Sequence, residues 1–394
     1  MSKTYKIDET LEVRVEKIVP NGLGLCFAEN LTVFVPLSVK GDKLRVKIRK
    51  LQGKTAFAKI VEILEPAEDR IKPKCIYFGT CGGCDFQQMS YETQLKSKIG
   101  ILRDSLKRIG KIDYEDEIPI IASPNEYNHR LRSNWHIDSR QKKIGYFKRQ
   151  SHDVIDAKSC PILVPELEAT LKDLQENLEY GTLFAELINV EAASGENGEV
   201  SVYSKELVEP TYEVFYELNG EKFYFNAKSF FQSNKFLIKD LVETAIENAE
   251  GKTALDLYCG VGLFSLSMAK NFEKVHGIEA NKEAIDFARK NAEHARISNV
   301  EFHDERVKTF LSDYSFDDVD FVLLDPPRSG VKRGTLEKIT KLSAERITYV
   351  SCNPSTLARD LQILLAEDYK IEKITALDLF PQTHHVETVV QLKK

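Results

Sequence analysis

The chain has 394 residues, 42% hydrophobic and 29% charged, with 55 Lys/Arg against 61 Asp/Glu. At roughly 100–200 residues per domain this implies two or three domains, and the apolar fraction excludes a mainly disordered chain. No apolar run approaches the roughly 20 residues of a membrane span, and the polar start MSKTYKIDET does not read as a signal peptide. A soluble, cytoplasmic chain with no membrane partner is expected, with a monomer as the default.

The net charge of −6 argues against a nucleic-acid partner only as an average. Residues 1–60 hold 12 basic and 6 acidic side chains and residues 124–160 hold 8 and 4, whereas residues 161–220 hold 2 and 13. One acidic stretch masks two basic ones. Local basic segments are the footprint that engages phosphates, although solvated lysine-rich faces give the same count.

Residues 10–64 read as five short alternating strands: LEVRVEKIV, GLGLCFAE, LTVFVPL, DKLRVKIRKL and TAFAKIVEIL, separated by turn residues. That pattern predicts a small barrel of the oligonucleotide-binding type over residues 1–65. Lys43, Arg45, Lys47 and Arg49 repeat every two residues and so share one face, a basic surface suited to a nucleic-acid backbone. Cys26 falls on an alternating strand and reads as a core thiol.

A Cys- and Gly-rich loop follows Pro66, then a helix predicted over 91–109 and stopped by Gly110. Residues 66–225 form a mixed α/β central region, with strands such as VSVYS and EVFYELNG. Its basic stretch 130–149 includes Trp135, Tyr146 and Phe147, which either stack on splayed bases or pack in the core. From 226 to 394, helices predicted over 235–248 and 281–295 alternate with the strands TALDLY, KVHGIEA, DFVLLD and RITYVS. Strand–helix alternation predicts a parallel sheet covered by helices.

Ala254–Leu266 runs from a strand through Gly260 and Gly262 into a helix, and Glu279 closes the next strand. Glycines there permit a tight turn and close backbone approach to a ligand, and the acidic residue can accept from both ribose hydroxyls. Gly-x-Gly alone fits a dinucleotide as well. Asp256 before the loop and Asp325-Pro326-Pro327 after a later strand shift the reading toward S-adenosylmethionine-dependent methyltransferases, which this arrangement resembles.

Cys75, Cys81 and Cys84 form C-x5-C-x2-C, and Cys160 could supply a fourth thiolate. Four thiolates suit zinc or an iron–sulfur cluster, and the spacing does not decide. Cys259 reads as packing at the turn. Cys352 follows a strand in VSCNPSTLARD, at the sheet edge where ligands bind. A thiol there is a nucleophile if its surroundings favour the thiolate, and otherwise a structural side chain.

Taken together, C-x5-CGGC with Cys160, Phe231-Gln232-Ser233-Asn234, LDLYCGVGLFSLSMA, DPPRSG, SCNPSTLARD and FPQTHHVETVVQL resemble, in order, the motifs of the RNA uracil-C5 methyltransferase family. The resemblance is to the branch with an amino-terminal TRAM barrel and a 4Fe–4S cluster, and it covers essentially the whole chain. It implies a multidomain α/β protein: the OB-like TRAM barrel, a mixed α/β central domain with an iron–sulfur site, and a Rossmann-like S-adenosylmethionine methyltransferase domain.

The resemblance implies further that Cys352 is the nucleophile, Glu387 the general base, and Gln232, Tyr258, Glu279 and Asp325 cofactor contacts. Cys75, Cys81, Cys84 and Cys160 become cluster ligands, expected to brace the central domain or to help position RNA. The preferred substrate is 23S ribosomal RNA, with transfer RNA as the nearest competitor. Leu263 and Arg306 depart from some relatives and carry no role. Arg328 is left between RNA binding, fixing its loop and a plain ion pair, and His384 and His385 read as turn residues.

Overall fold

A computed structural model describes residues 4–206, 211–314 and 318–394. Strands β1 (Thr10–Val19), β2 (Leu23–Ala28), β3 (Leu31–Pro36), β4 (Lys43–Gln52) and β5 (Thr55–Glu65) close into a barrel in the order β1-β2-β3-β5-β4. Alternation places Val13, Val15, Val33, Val35, Leu44, Val46 and Ile48 inside, around Cys26, whose thiol burial pushes up to about 12.

The outer face of β4 departs from the sequence expectation. Lys43 pairs with Glu65 (3.0 Å), Arg45 with Glu12 (3.1 Å) and Glu62, and Lys47 and Arg49 with Asp8 (3.0 and 3.2 Å). Three of the acids come from the flanking strands, where Glu12 and Glu62 stand directly across from Arg45, and Asp8 comes from the turn before β1. Four cations meet four carboxylates, so the face is a compensated ladder and not a free basic patch.

Helix α1 (Tyr91–Ser105) is capped by Ser90, whose hydroxyl accepts from Thr93, and it continues as a π-helical turn over Leu106–Gly110. It lies between two cores: Ile101 belongs to the barrel's apolar cluster, and Leu102 and Leu106 to that of the carboxy-terminal sheet. Next in the chain come β6 (Ile120–Ile121), β7 (Arg132–Asp138), β8 (Lys143–Phe147), β9 (Val154–Asp156), α2 (Pro165–Asn177), β10 (Leu187–Ser194) and β11 (Val200–Tyr203). Strands β7 to β11, without β6, make an antiparallel sheet ordered β11-β10-β7-β8-β9, beside a ribbon of β12 (Val214–Leu218) and β13 (Glu221–Phe225).

The basic stretch 130–149 is also mostly spent inside this region. Arg132 donates to the carbonyls of Asn226, Ala227 and Ser229, Arg140 pairs with Glu186, and Arg149 with Asp85. Trp135 is fully buried, so it is not presented to a base, and half-buried Phe147 stacks on His136.

The rest of the chain alternates as expected: α3 (Ile238–Ala245), β14 (Gly251–Leu257), α4 (Leu263–Met268), β15 (Phe272–Glu279), α5 (Lys282–His294), β16 (Val300–Asp304), α6 (Val307–Asp313), β17 (Phe321–Leu324), α7 (Arg333–Lys341), β18 (Arg346–Ser351), α8 (Pro354–Leu365), β19 (Lys370–Leu377) and β20 (Glu387–Lys393). The sheet order is β16-β15-β14-β17-β18-β20-β19-β6. Strands β14 to β18 run parallel, and β20 is antiparallel to both its neighbours. Both faces are covered, with Leu257, Leu324 and Tyr349 in one apolar cluster and Ala254, Leu323 and Val350 in another. That explains why these strands read as continuous hydrophobic runs. Among the described residues no helix is long and apolar enough to cross a membrane.

Candidate active site and cysteine centre

In a parallel sheet, the strand carboxyl ends open toward ligands. Here the ends of β14, β15, β17 and β18 and the start of β20 bring the motif residues together. After β14, Gly262 (φ 87°) takes the left-handed conformation that opens α4, and a Cβ there would lie 3.1 Å from the Phe302 ring. Glu279, ending β15, accepts from Asn281 N at 2.8 Å and from Gly260 N at 3.4 Å, so its carboxylate faces the glycine turn. Tyr258, half-buried, precedes that turn with φ 74°. Asp256 is buried, accepts from Ser265 Oγ at 2.5 Å, and burial lifts its carboxyl to about 7.

Asp325 lies just past β17 and accepts from Gln232 Nε2 at 3.4 Å. Burial, with the nearby Asp256 charge, raises it to about 7 as well. Cys352 follows β18 at the start of α8, where Asn353 caps the helix by accepting from Ser355 N at 3.0 Å. A helix amino terminus favours a thiolate. Burial nevertheless pushes the Cys352 thiol to about 12, helped by Glu387 and Asp325, while the guanidinium of Arg328 works against them.

Glu387 opens β20. It is buried, its Oε1 has no hydrogen-bond partner, and burial with the Asp325 charge drives its carboxyl well above the usual range. An exposed strand carboxylate would show neither feature. Arg328 again opposes the shift. The geometry therefore gives Arg328 a definite place, as the cation facing both the thiol and the carboxyl. Its loop is fixed from α8: Asn353 Nδ2 and Thr356 Oγ1 donate to Arg328 O at 3.1 and 3.2 Å.

Phe230 was missed in the sequence. Phe231 packs inward on Phe225 with ring centroids 4.2 Å apart, leaving Phe230 61% exposed beside Gln232. Two adjacent aromatics before a site residue were the available signal, since one must face out.

Cys75, Cys81, Cys84 and Cys160 line one cavity of about 140 Å³ with Gln87, Arg130 and Tyr146. Burial pushes Cys84 to about 12 and Cys160 to about 11, and raises Cys81 as well. Thiolates this buried need a cation among them. Gln87 Nε2 is buried at this cavity without a hydrogen-bond partner, and the Gln87 amide favours the Cys84 thiolate; Gly83 N donates to Cys81 Sγ at 3.4 Å.

Among the described residues, the one group of three or more such donors whose ligand atoms all lie within 4.8 Å is His276, Glu301 and His303, where Lys274 already pairs with Glu301 at 2.7 Å. No three of the four sulfurs thus approach the roughly 3.8 Å separation of ligands around one zinc, given Zn–S of about 2.3 Å. The donor set and its opening fit a polynuclear cluster. The cysteine loop touches two regions: Gly82 N donates to Phe147 O at the end of β8, and Asp85 N and Phe86 N donate to Gln382 O in the loop before Glu387.

The tRNA (Uracil-5-)-methyltransferase family matches residues 163–394. The 23S rRNA (uracil(1939)-C(5))-methyltransferase RlmD of Vibrio parahaemolyticus is 31% identical over 97% of this chain and 95% of that protein. An RNA methyltransferase of Thermotoga maritima is 32% identical over 97% and 99%. Among solved structures, the Pyrococcus abyssi tRNA (uracil-54, C5)-methyltransferase in complex with S-adenosyl-L-homocysteine shares the fold with a TM-score of 0.74 and 26% identity, over 96% of this chain and all of that one. A cysteine at a strand end, a buried carboxyl and a glycine turn with its acidic partner are thus found in a chain that belongs to the S-adenosylmethionine-dependent RNA uracil-5-methyltransferase family.

Proposed function

We propose that this protein methylates carbon 5 of a uridine in 23S ribosomal RNA, with Cys352 as nucleophile and Glu387 as general base. The observation that carries the reading is the convergence of Cys352, Arg328, Asp325 and Glu387 at the ends of β17 and β18 and the start of β20. The doubly covered sheet is taken as a Rossmann-like methyltransferase domain, the barrel as a TRAM domain and the cysteine centre as a 4Fe–4S site.

Carbon 5 of uracil is a poor nucleophile. Addition of Cys352 Sγ to carbon 6 moves the electrons of the 5,6 double bond onto carbon 5, which then behaves as an enolate carbon. S-adenosylmethionine, when bound, supplies the electrophilic methyl group that this carbon takes. Gln232, Tyr258, Glu279 and Asp325 would hold it, with Glu279 on the ribose hydroxyls. Glu387 then removes the carbon 5 proton, the double bond re-forms, and the Cys352 sulfur leaves as thiolate. Burial makes Glu387 a stronger proton acceptor once ionised, and Arg328 supports both the ionised carboxylate and the thiolate. The target base has to leave its stack, at a cost of a few kcal/mol. Exposed Phe230 offers a surface on which a displaced base could rest.

The substrate assignment follows the 23S-specific relatives. Methyl transfer to purified 23S and transfer RNA separates the two, and activity on transfer RNA alone overturns it. RNA containing 5-fluorouridine, whose fluorine cannot leave as a proton, should trap a covalent adduct with the unaltered protein and none with Cys352→Ala. Anaerobically purified protein should carry iron and sulfide; a colourless, fully active zinc protein would contradict the cluster.

A further inference from the structure

The loop from Asp378 to Val386 joins β19 to β20 and ends at Glu387, and neighbours from three directions hold it. From α1, Gln94 Oε1 accepts from Gln382 N at 3.0 Å, Gln94 Nε2 donates to Gln382 Oε1 at 3.1 Å, and buried Lys98 pairs with Asp378 and donates to Phe380 O at 2.9 Å. From the barrel, Gly22 (φ 67°) approaches so closely that a Cβ there would stand 3.0 Å from His384 Cβ. From the cysteine loop, Asp85 N and Phe86 N donate to Gln382 O at 2.9 and 3.0 Å. The loop itself turns through Gln382 at φ 69°, a left-handed conformation that a non-glycine residue keeps only when its surroundings impose it.

Besides Lys98–Asp378, a second pair of ionisable side chains holds the loop. His384 Nδ1 lies 2.7 Å from Asp85 Oδ2, and Asp85 Oδ1 accepts from Arg149 Nη1 at 2.8 Å. The other guanidinium nitrogen of Arg149 donates to the carbonyl of Cys84. Cys84, Arg149, Asp85 and His384 thus form an unbroken chain of bonds from a cysteine-centre residue to a point three residues before Glu387. Two backbone bonds already anchor Gln382, so the His384 bond adds control over the residues beyond it.

We propose that Asp85 and His384 form a positioning joint, through which the cysteine loop sets where the segment carrying Glu387 stands. His384 is a positioning residue and touches no reacting atom. The proposal rests on the reading of Glu387 as the base. It gives the cysteine centre a task in the second half of the reaction, proton removal and release, and none in the first. A small misplacement of a reacting group can cost on the order of a hundredfold in rate, so loss of the joint should slow release by about tenfold or more.

The test uses metal-loaded protein, unmodified RNA and S-adenosylmethionine, and follows the covalent protein–RNA complex in denaturing gels. Glu387→Gln should accumulate the methylated adduct, because the step after methyl transfer is blocked. His384→Ala should accumulate the same adduct, with turnover lowered about tenfold, single-turnover methyl transfer changed less than about threefold, and iron per chain unchanged. His384→Asn, whose amide can donate to Asp85, should restore release, and Asp85→Asn, which keeps the volume, should reproduce the accumulation if His384→Ala fails to fold. Glu387→Gln accumulating while both joint variants release normally, or joint variants losing adduct formation and turnover in equal measure, would overturn the joint. Absence of adduct in Glu387→Gln sinks the base reading instead, and the proposal with it.

Discussion

Arg45 and Arg328 each face two partners, and the outcomes differ because of where they stand. Arg45, on the outer face of β4, sits among Glu12 and Glu62 with side chains 39–53% exposed. Arg328, itself exposed, faces half-buried Cys352 and buried Glu387, and on these partners burial wins: the thiol goes to about 12 and the carboxyl well above its ordinary range despite the guanidinium. Exposed pairs are worth about 0–1 kcal/mol because water already solvates both ions. At the shielded site the same cation works on groups held in their neutral forms. The lesson is that counting charges along a chain finds neither situation, since exposure decides what each charge does.

Four measurements would break or sharpen that contrast. The largest effect belongs to the shielded groups themselves. Cys352→Ala should abolish methyl transfer, and Glu387→Gln should lower turnover by about 10²–10⁴-fold, the range for a lost general base; near-normal rates in either would remove it from the mechanism. Arg328→Ala should lower kcat/KM by about a hundredfold, with Arg328→Lys in between because a point charge replaces a fork. Equal activity of all three would show that the guanidinium only fixes its loop.

The third measurement is pH dependence. Because the Cys352 pKa is raised to about 12, the thiolate is the minor form at neutral pH and grows about tenfold per unit as pH rises. Alkylation of Cys352, followed by peptide mapping, should climb about a hundredfold from pH 7 to 9 and be slower in Arg328→Ala; a plateau near neutrality would contradict the raised value. The smallest effect belongs to the barrel. Arg45→Gln should cost no more than about 1 kcal/mol in urea unfolding and leave the salt dependence of RNA binding unchanged. A phosphate-contacting arginine would instead lower the log–log slope by about 1.

Much of the fold was legible because its signals are local. Alternation found all five barrel strands, and Asn281 marked the start of α5, where its side chain accepts from Glu283 N and Ala284 N. The helix predicted over 235–248 is shorter, Ile238–Ala245, because Asn234 Oδ1 accepts from Phe236 N and turns the chain before the helix can begin. The helix predicted over 91–109 changes to a π-helical turn at Leu106.

The placement of the motif residues at strand ends was legible from order and motif. The role of Arg328 was not, since its contact with Cys352 crosses between two strands that pair only in the fold. The compensation on β4 was hidden for the same reason: Glu12, Glu62 and Glu65 reach their cations through strand pairing, and nothing local announces it. Nor could any spacing reveal that Asp85 meets His384, 299 positions away.

The short strand β6 bears on how this chain can be made and cut. Ile120 and Ile121 pair with Ala376 and Leu377 of β19, so that β6 is the outermost strand on that side of the sheet and covers part of the β19 edge. An uncovered strand edge is a template for pairing with another chain. During synthesis β6 emerges roughly 250 residues before β19, so it waits in the nascent chain until the sheet can receive it. A fragment starting at residue 226 would keep every strand from β14 to β20 yet leave part of the β19 edge bare. Such a fragment is a candidate for self-association, and splitting the chain at the obvious boundary removes a protective seam along with the barrel.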